Sequence, residues 1–213
     1  MNRSIADILL DLNAVALRSD PPFRWASGRH SPIYCDNRLI MSDPVGRKAV
    51  ARAFVSQMRA QGWAPEVIAG TATAGIPHAA WVADEMSLPM VYVRGAAKGH
   101  GKGNQVEGKL QTGQRVVLIE DLISTGGSSL QAAEGLVAEG AQLLGVLAIF
   151  TYGLAVATEK FAAAGIPCVA LTDFRALMDV AQARGHLSAE EAAVIATWQE
   201  DPSAWSVAHG GGA

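Results

Sequence analysis

Residues 116–128 carry the strongest chemical signal in the sequence. Four apolar residues at 116–119 precede Glu120 and Asp121, and a loop of serine, threonine and glycine then leads into a helical pattern. The apolar run predicts a buried strand, and open parallel sheets bind ligands beyond the carboxyl ends of their strands. Backbone amides at the N-terminus of the following helix attract anions. The pattern therefore predicts a loop that binds phosphate.

The two carboxylates predict a second part of the ligand. Glu120 and Asp121 would repel a phosphate, so we expect them to serve another group. Carboxylates accept hydrogen bonds from the vicinal hydroxyls of a ribose, and they also hold Mg²⁺ through water. A sugar phosphate satisfies both halves of the motif. The alternative is a solubilising loop that only caps a helix.

A second signal lies in residues 92–108, which combine glycine with positive charge. Glycines at 95, 99, 101, 103 and 108 make this segment costly to order and predict a mobile loop. Its basic side chains include Arg94, Lys98, His100 and Lys102. They predict a cluster that neutralises an anionic leaving group such as pyrophosphate, while closure of the loop excludes water. The alternative is a solvated basic loop.

Both motifs resemble those of a known family. The acid pair followed by Ser-Thr-Gly-Gly-Ser is similar to the phosphoribosyl pyrophosphate signature of the type I phosphoribosyltransferases. The order Arg-x-x-x-Lys-x-His in the glycine-rich loop resembles the orotate phosphoribosyltransferases in particular, as do the segments at 23–34 and 70–77. The resemblance is collinear from about residue 20 to residue 180.

The resemblance implies a fold, a reaction and partners. The fold is α/β, a type I phosphoribosyltransferase fold whose central parallel sheet is flanked by helices, with a small N-terminal hood over the base. The reaction transfers the 5-phosphoribosyl group from phosphoribosyl pyrophosphate to orotate, giving orotidine 5′-monophosphate and pyrophosphate in pyrimidine (UMP) biosynthesis. Mg²⁺ is the implied cofactor, held through the substrate, with Glu120 and Asp121 as candidate partners through water. A homodimer that shares the mobile loop across its interface is implied as well.

The resemblance also implies roles for single residues. The catalytic residues are Arg94, Lys98 and His100, which contact the pyrophosphate together with Lys102. Ser124 reaches orotate besides binding the donor substrate. The residues that bind phosphoribosyl pyrophosphate also include Glu120, Asp121, Leu122, Ile123, Ser124, Thr125, Gly126, Gly127 and Ser128.

The resemblance does not identify every residue that binds orotate. Tyr152 stands roughly where some family members have an arginine that grips the orotate carboxylate. We predict Arg29 for that role, with Arg24 as the alternative, and we expect Tyr34 or Trp25 to stack on the base. Many members are charged at five positions where this chain is not: Ala26, Ala74, Gly95, Ala96 and Gly99.

The rest of the pattern predicts the scaffold of one domain over residues 1–213. Short apolar runs at 67–69, 90–93, 116–119, 143–150 and 168–171 alternate with helical stretches at 76–86, 128–139 and 155–164, which predicts a parallel sheet covered by helices on both faces. Further helices are predicted at 5–15, from 44 to about 60, at 174–183 and after Ser188, before a frayed end at 209–213. We divide the domain into an N-terminal helix and hood (1–42), a core (43–185) and a C-terminal helix and tail (186–213).

Composition narrows the classes of protein. The 213 residues are 50% hydrophobic and 17% charged, with a net charge of −3, which disfavours a disordered chain and a nucleic-acid-binding domain. The two cysteines, Cys35 and Cys168, lie far apart and predict neither a disulfide framework nor a zinc site. Asp7 and Asp11 interrupt the first apolar pattern, so we expect no signal peptide. The longest apolar run, at 143–150, is too short to span a bilayer, so we expect no membrane segment and a cytoplasmic location.

Two alternatives to the orotate enzyme remain at this point. One is a phosphoribosyltransferase for adenine, xanthine or another base, because the donor signature does not specify the acceptor. The other is a regulator that binds phosphoribosyl pyrophosphate as an effector and controls nucleic acid. The segment at 23–38 and the basic loop disfavour the first, and the net charge disfavours the second.

Overall fold

A computed structural model describes residues 3–25, 27–95 and 105–212 of the chain. The strands are β1 (Val15–Leu17), β2 (Phe23–Arg24), β3 (His30–Ser31), β4 (Ile33–Cys35), β5 (Val67–Thr71), β6 (Met90–Val93), β7 (Val106–Glu107), β8 (Arg115–Ile123), β9 (Gln142–Thr151) and β10 (Cys168–Asp173). The α-helices are α1 (Ile5–Asp11), α2 (Pro44–Ala60), α3 (Gly75–Met86), α4 (Gly127–Ala138), α5 (Ala155–Ala163), α6 (Phe174–Ala183), α7 (Ala189–Glu200) and α8 (Pro202–Ala208). A 3₁₀ helix spans Asn37–Ser42.

Six strands form the central sheet, in the order β10-β9-β8-β5-β6-β7. All neighbouring pairs are parallel except β6 and β7, which are antiparallel. This confirms the predicted α/β class with a parallel sheet. Two further pairs, β1 with β4 and β2 with β3, form small antiparallel sheets outside it.

Strand β8 shows how the sheet is covered on both faces. Val117 and Ile119 belong to one apolar cluster, together with residues of α2 and α3. Val116 and Leu118 belong to a second cluster, together with residues of α4 and α5. Successive side chains of a strand point to opposite faces, so a run of four apolar residues requires helices on both sides.

The central strand is longer than the sequence predicted, and this changes the place of the acid pair. The register between β8 and β9 continues to Ile123 opposite Thr151. Glu120 and Asp121 therefore lie within the strand, and the loop begins only at Ser124. The prediction ended the strand at 119, where the apolar run stops.

Two predictions for the ends of the chain are wrong. The first helix ends at Asp11 instead of residue 15, because Asn13 adopts a left-handed conformation with φ of 52° and Val15 pairs with Cys35 in β1 and β4. The end at 209–212 is not frayed. The amide of Gly212 donates to the carbonyl of Gly28 at 3.1 Å, and α8, which was not predicted, precedes this contact. In the part of the chain that the structure describes, no helix has the length and apolar character needed to cross a membrane.

Candidate active site

A polar cavity of about 620 Å³ lies at the carboxyl ends of β5 and β8. Strands β5 and β8 are neighbours in the sheet, so the loops that follow them meet at one edge. The lining residues are Cys35, Asp36, Arg38, Thr71, Ala72, Thr73, Ala74, Glu120, Asp121, Leu122, Ser124, Thr125, Gly126, Gly127, Ser128 and Ser129. The cavity thus brings together one predicted loop, one predicted acid pair and a group of residues from 35–38.

Glu120 is held rigidly in the wall of this cavity. Its carboxylate accepts a hydrogen bond from the Ser129 hydroxyl at 2.9 Å and another from the backbone amide of Asp121 at 3.0 Å. Only 5% of its surface is exposed. Burial, reinforced by the nearby Asp121 carboxylate, raises the pKa of Glu120 well above its usual range. A ligand with hydroxyl or cationic groups would offset this desolvation.

Asp121 is positioned through its backbone. The Asn37 side-chain amide donates to the Asp121 carbonyl at 2.7 Å and so ties β8 to the 3₁₀ helix. Burial also raises the pKa of the Asp121 carboxyl, while the Arg38 guanidinium opposes that shift. Asp121 therefore lies near both the Glu120 carboxyl and the Arg38 guanidinium. A ligand bound here could donate hydrogen bonds to the carboxylates and accept them from the guanidinium.

Asp36 and Arg38 form an ion pair at the rim of the cavity. Arg38 donates from Nε and from one terminal nitrogen to the two oxygens of Asp36, at 2.6 and 2.8 Å. This pair holds the pKa of Asp36 below its usual range. The Arg38 side chain is 62% exposed. Its guanidinium is thus accessible to an anion entering from solvent.

The shape of the loop at 124–128 is set by contacts with a neighbouring helix. Helix α4 begins at Gly127, and no side chain caps its first turn, so its amides remain available to a ligand. Gly126 has φ of +77° and lies against Phe161 of α5, where a Cβ would stand 3.1 Å from the ring. The Lys160 ammonium donates to the carbonyl of Thr125 at 3.3 Å. The packing of α5 thus fixes the shape of this loop.

The loop at 71–75 forms the opposite wall. Thr71, Ala72, Thr73 and Ala74 line the cavity, and the Ala72–Thr73 peptide bond is cis. Helix α3 then starts so close to β8 that a Cβ on Gly75 would lie 2.5 Å from the carbonyl oxygen of Ile119. Glycine is therefore required where this loop meets the strand that carries the acid pair.

A second cavity, of about 430 Å³, opens beside the first and is largely aromatic. Its lining residues are Arg24, Trp25, Tyr34, Cys35, Leu122, Ser124 and Tyr152. Cys35, Leu122 and Ser124 also line the polar cavity, so the two cavities adjoin each other. Among the described residues that line the aromatic cavity, Arg24 alone carries a charge.

Packing from the C-terminal helices supports the aromatic cavity. Trp198 of α7 contacts Tyr152 and Trp25, with ring centroids 5.2 and 6.2 Å away. Burial raises the pKa of the Tyr152 hydroxyl and of the Cys35 thiol above their usual ranges, so both groups stay protonated at neutral pH. Cys35 is therefore no ready nucleophile.

The predicted residues that the structure describes fall into two groups. Glu120, Asp121 and the loop at 124–128 line the polar cavity, and Tyr34 lines the aromatic one. Arg94 and Arg29 are not among the described residues that line either cavity. Arg94 follows β6 and pairs with Glu107 of β7 at 3.3 Å.

Most of the remaining predicted residues lie outside the part of the chain that the structure describes, and two of them lie within it. Lys98, His100 and Lys102 lie outside the described residues, as do Ala26, Ala96 and Gly99. Ile123 is buried at the end of β8. Gly95 is described, and a Cβ there would meet no atom within 4 Å.

Sequence reasoning missed several residues of the polar cavity. Asp36, Arg38 and Ser129 line it although the sequence assigned them no role, whereas Thr71 lies in the segment at 70–77 that the family resemblance had singled out. Asp36 and Arg38 lie at the end of the segment at 23–38, whose pattern is typical of an irregular loop or short strands, and their spacing did not mark them as residues of this cavity. Ser129 gave no signal because its hydroxyl is turned toward Glu120 by the first turn of α4.

His78 lies in the core near the start of α3. It is 1% exposed, and its ring packs edge-on against Trp81 at 5.4 Å. Neither ring nitrogen has a hydrogen-bond partner among the described residues. Burial lowers the pKa of His78 to about 4, so the ring is neutral at physiological pH.

Known proteins resemble this chain over nearly its full length. Residues 43–160 match the family model described as the phosphoribosyl transferase domain. The orotate phosphoribosyltransferase of Halalkalibacterium halodurans is 54% identical over 206 residues, which cover 97% of this chain and 98% of that protein. The enzyme of the same name from Enterococcus faecalis is 51% identical over 203 residues, covering 95% and 97%.

Solved structures of phosphoribosyltransferases also resemble this chain. The crystal structure of orotate phosphoribosyltransferase from Aeropyrum pernix is 29% identical, with a TM-score of 0.74 over 86% of this chain and 99% of that one. Adenine phosphoribosyltransferase from Leishmania tarentolae is 24% identical, with a TM-score of 0.60 over 80% and 88%. This second likeness concerns the fold alone.

Proposed function

The chain belongs to the orotate phosphoribosyltransferase family, and we propose that it transfers the 5-phosphoribosyl group from phosphoribosyl pyrophosphate to N1 of orotate. The products are orotidine 5′-monophosphate and pyrophosphate. One observation carries the proposal: a polar cavity lined by an acid pair and by the uncapped start of α4 adjoins an aromatic cavity, with which it shares three lining residues. Such a pair of sites fits a sugar phosphate and a planar base that must react with each other.

The polar cavity takes the donor substrate. The uncapped amides at the start of α4 and the hydroxyls of Ser124, Thr125 and Ser128 bind the 5-phosphate. Glu120 and Asp121 accept hydrogen bonds from the ribose hydroxyls. Since Glu120 already accepts from Ser129 and from the strand backbone, it keeps its orientation while the ligand binds.

Mg²⁺ fits this arrangement when it is carried by the substrate. The described residues contain no group of three or more histidine, cysteine, aspartate or glutamate side chains able to hold a metal ion by themselves. Mg²⁺ is commonly bound by one or two carboxylates together with substrate phosphates. Asp121 and Glu120 would supply such carboxylates through water. When bound, the ion would neutralise negative charge on the pyrophosphate.

The basic residues complete the chemistry. Family chemistry passes through a transition state that resembles an oxocarbenium ion, so the protein positions the reactants and stabilises charge. Arg94, Lys98 and His100 are the proposed catalytic residues, which neutralise the departing pyrophosphate together with Lys102. The proposal includes no covalent intermediate, in keeping with the protonated Cys35 thiol at the junction of the cavities.

The aromatic cavity takes the base. Tyr34 and Trp25 offer rings for stacking, and Ser124 lies where the two substrates meet. Arg24 lines this cavity, which favours it over Arg29 as the partner of the orotate carboxylate. Two further proposals rest on the sequence and the family: a homodimer that shares the loop containing Lys98 and His100, and a cytoplasmic location.

The proposal is tested by following the loss of orotate absorbance. The purified protein is incubated with orotate, phosphoribosyl pyrophosphate and Mg²⁺, and orotidine 5′-monophosphate is identified by chromatography. Parallel reactions replace orotate with adenine or xanthine, or omit the Mg²⁺. We expect consumption of orotate only, and only with Mg²⁺. Consumption of adenine or xanthine with orotate left intact would contradict the proposal, as would tight binding of the donor without turnover.

A further inference from the structure

The end of the chain packs against the hairpin that covers the aromatic cavity. We call residues 205–212 the C-terminal clasp and residues 23–31 the hood hairpin. Ser206 is fully buried, and its hydroxyl accepts from the His30 amide at 2.9 Å and donates to the Gly212 carbonyl at 2.5 Å. The Gly212 amide donates to Gly28 at 3.1 Å. The clasp thus binds both the turn and the second strand of the hairpin.

A histidine adds a third contact between the two segments. The His30 ring nitrogen Nδ1 lies 2.8 Å from the carbonyl oxygen of His209, so Nδ1 is the protonated nitrogen that donates. The His209 ring stacks on Trp205 at 3.6 Å between centroids, which fixes the direction of that carbonyl. The two histidines, 179 positions apart in the sequence, are thus partners in the structure.

The residues that the clasp contacts are paired directly with residues that line the aromatic cavity. His30 pairs with Arg24 across the hairpin, and the Trp25 amide donates to the carbonyl of Arg29 at 2.8 Å. Arg24 and Trp25 are lining residues of the cavity. A displacement of His30 therefore moves the strand that carries them. Two paired residues in each strand make a weak hairpin, and such a hairpin needs outside support.

We propose that the C-terminal clasp is a positioning element for the acceptor base: it holds the hood hairpin so that Arg24 and Trp25 face the substrate. This inference rests on the proposed function, because it concerns the orotate half of the site. The clasp touches no residue of the phosphate-binding loop in the contacts described, so its effect is confined to one substrate. It therefore sets the KM for orotate and leaves the KM for phosphoribosyl pyrophosphate unchanged.

Two adjacent glycines provide a matched test of the clasp. A Cβ on Gly211 would lie 2.6 Å from the His30 amide nitrogen and 2.6 Å from the Ser206 hydroxyl oxygen. A Cβ on Gly212 would come no closer than 3.8 Å to any atom outside its neighbours, which is ordinary contact. Neither residue has a positive φ, so alanine strains neither backbone. Gly211→Ala separates clasp from hairpin, and Gly212→Ala is the control.

The experiment measures steady-state kinetics for both substrates in Gly211→Ala, Gly212→Ala and Ser206→Ala. We expect the KM for orotate to rise about three- to tenfold in Gly211→Ala and Ser206→Ala, as one or two hydrogen bonds are lost. The KM for phosphoribosyl pyrophosphate should stay within error of wild type. Amide hydrogen exchange at Trp25 and Gly28 should be faster in the same two variants, independently of activity.

Several results would contradict the proposed role of the clasp. One is an unchanged KM for orotate in both Gly211→Ala and Ser206→Ala, and another is an equal rise for both substrates, which indicates general damage. If Gly211→Ala does not fold, Ser206→Ala decides alone, since it removes atoms and adds none. A wild-type protein that consumes no orotate would refute the proposed function, while unchanged amide exchange in the variants would refute the clasp itself.

Discussion

The two halves of the site are built in different ways. The polar cavity takes most of its lining from two short stretches, 71–74 and 120–129, each of which continues a strand of the central sheet. The aromatic cavity is assembled from residues at 24–25, 34–35, 122–124 and 152, and Trp198 supports it from behind. Rigid parallel strands position the first half, whereas side-chain packing between distant segments positions the second. The first should therefore tolerate changes at the ends of the chain that the second does not.

The largest expected effect concerns the acid pair. Asp121→Asn keeps the size of the side chain but removes the charge that accepts from the ribose hydroxyls. A hydrogen bond to a charged group contributes about 1.5–3 kcal/mol, so kcat/KM for phosphoribosyl pyrophosphate should fall about ten- to hundredfold. Asp84→Asn, on the exposed face of α3, is the control. Steady-state kinetics with each substrate varied in turn would check this.

The same measurement tests whether the two halves act separately. The KM for orotate should change little in Asp121→Asn, because the aromatic cavity is positioned by other segments. A comparable rise in both Michaelis constants would show that the halves form one unit. The difference drawn between them would then be wrong.

A smaller effect is expected from the arginines of the hood hairpin. Arg24→Ala removes the one charge among the described lining residues of the aromatic cavity, and Arg24 is exposed to solvent, which weakens its interactions. The KM for orotate should rise about fivefold to tenfold. Arg29→Ala is the matched variant, and its KM should stay near that of wild type. The reverse order would restore Arg29 as the partner of the carboxylate.

The last prediction concerns stability instead of catalysis, as a dependence of unfolding on pH. Burial raises the pKa of Glu120 from its ordinary value of 4.5 to about 8. Between these values the folded protein binds more protons than the unfolded chain, so the free energy of unfolding falls as pH rises across this window. Glu120→Gln keeps an acceptor for Ser129 and removes the titration. Its Tm, measured from pH 5 to pH 8 without ligand, should fall less steeply than that of wild type.

A control separates this effect from the general charge of the protein. Glu134→Gln removes a carboxylate on the exposed side of α4 and should leave the wild-type slope unchanged. An identical slope in wild type, Glu120→Gln and Glu134→Gln would show that Glu120 is charged in the folded protein across the whole range.

Most of the sheet could be predicted because its strands are continuous apolar runs. Helices α3, α4 and α6 begin and end within one residue of the predicted positions, since alanine-rich segments between such runs have few other conformations. The ends of the chain were predicted poorly. Val15 has helical spacing in the sequence but pairs with Cys35 in a small sheet. The glycines at 210–212 predicted a frayed tail, although close contact with His30 requires glycine at position 211.

The sequence by itself determined the α/β scaffold, the loop that we propose binds phosphate and the acid pair, because each is a local pattern whose chemistry depends on residues adjacent in the chain. Only the tertiary structure placed Arg24 and Tyr152 in one cavity, turned Ser129 toward Glu120 and joined Ser206 to His30, 176 positions away. Such contacts depend on the path of the backbone between them. No spacing in the sequence encodes that path, and packing of the whole core selects it.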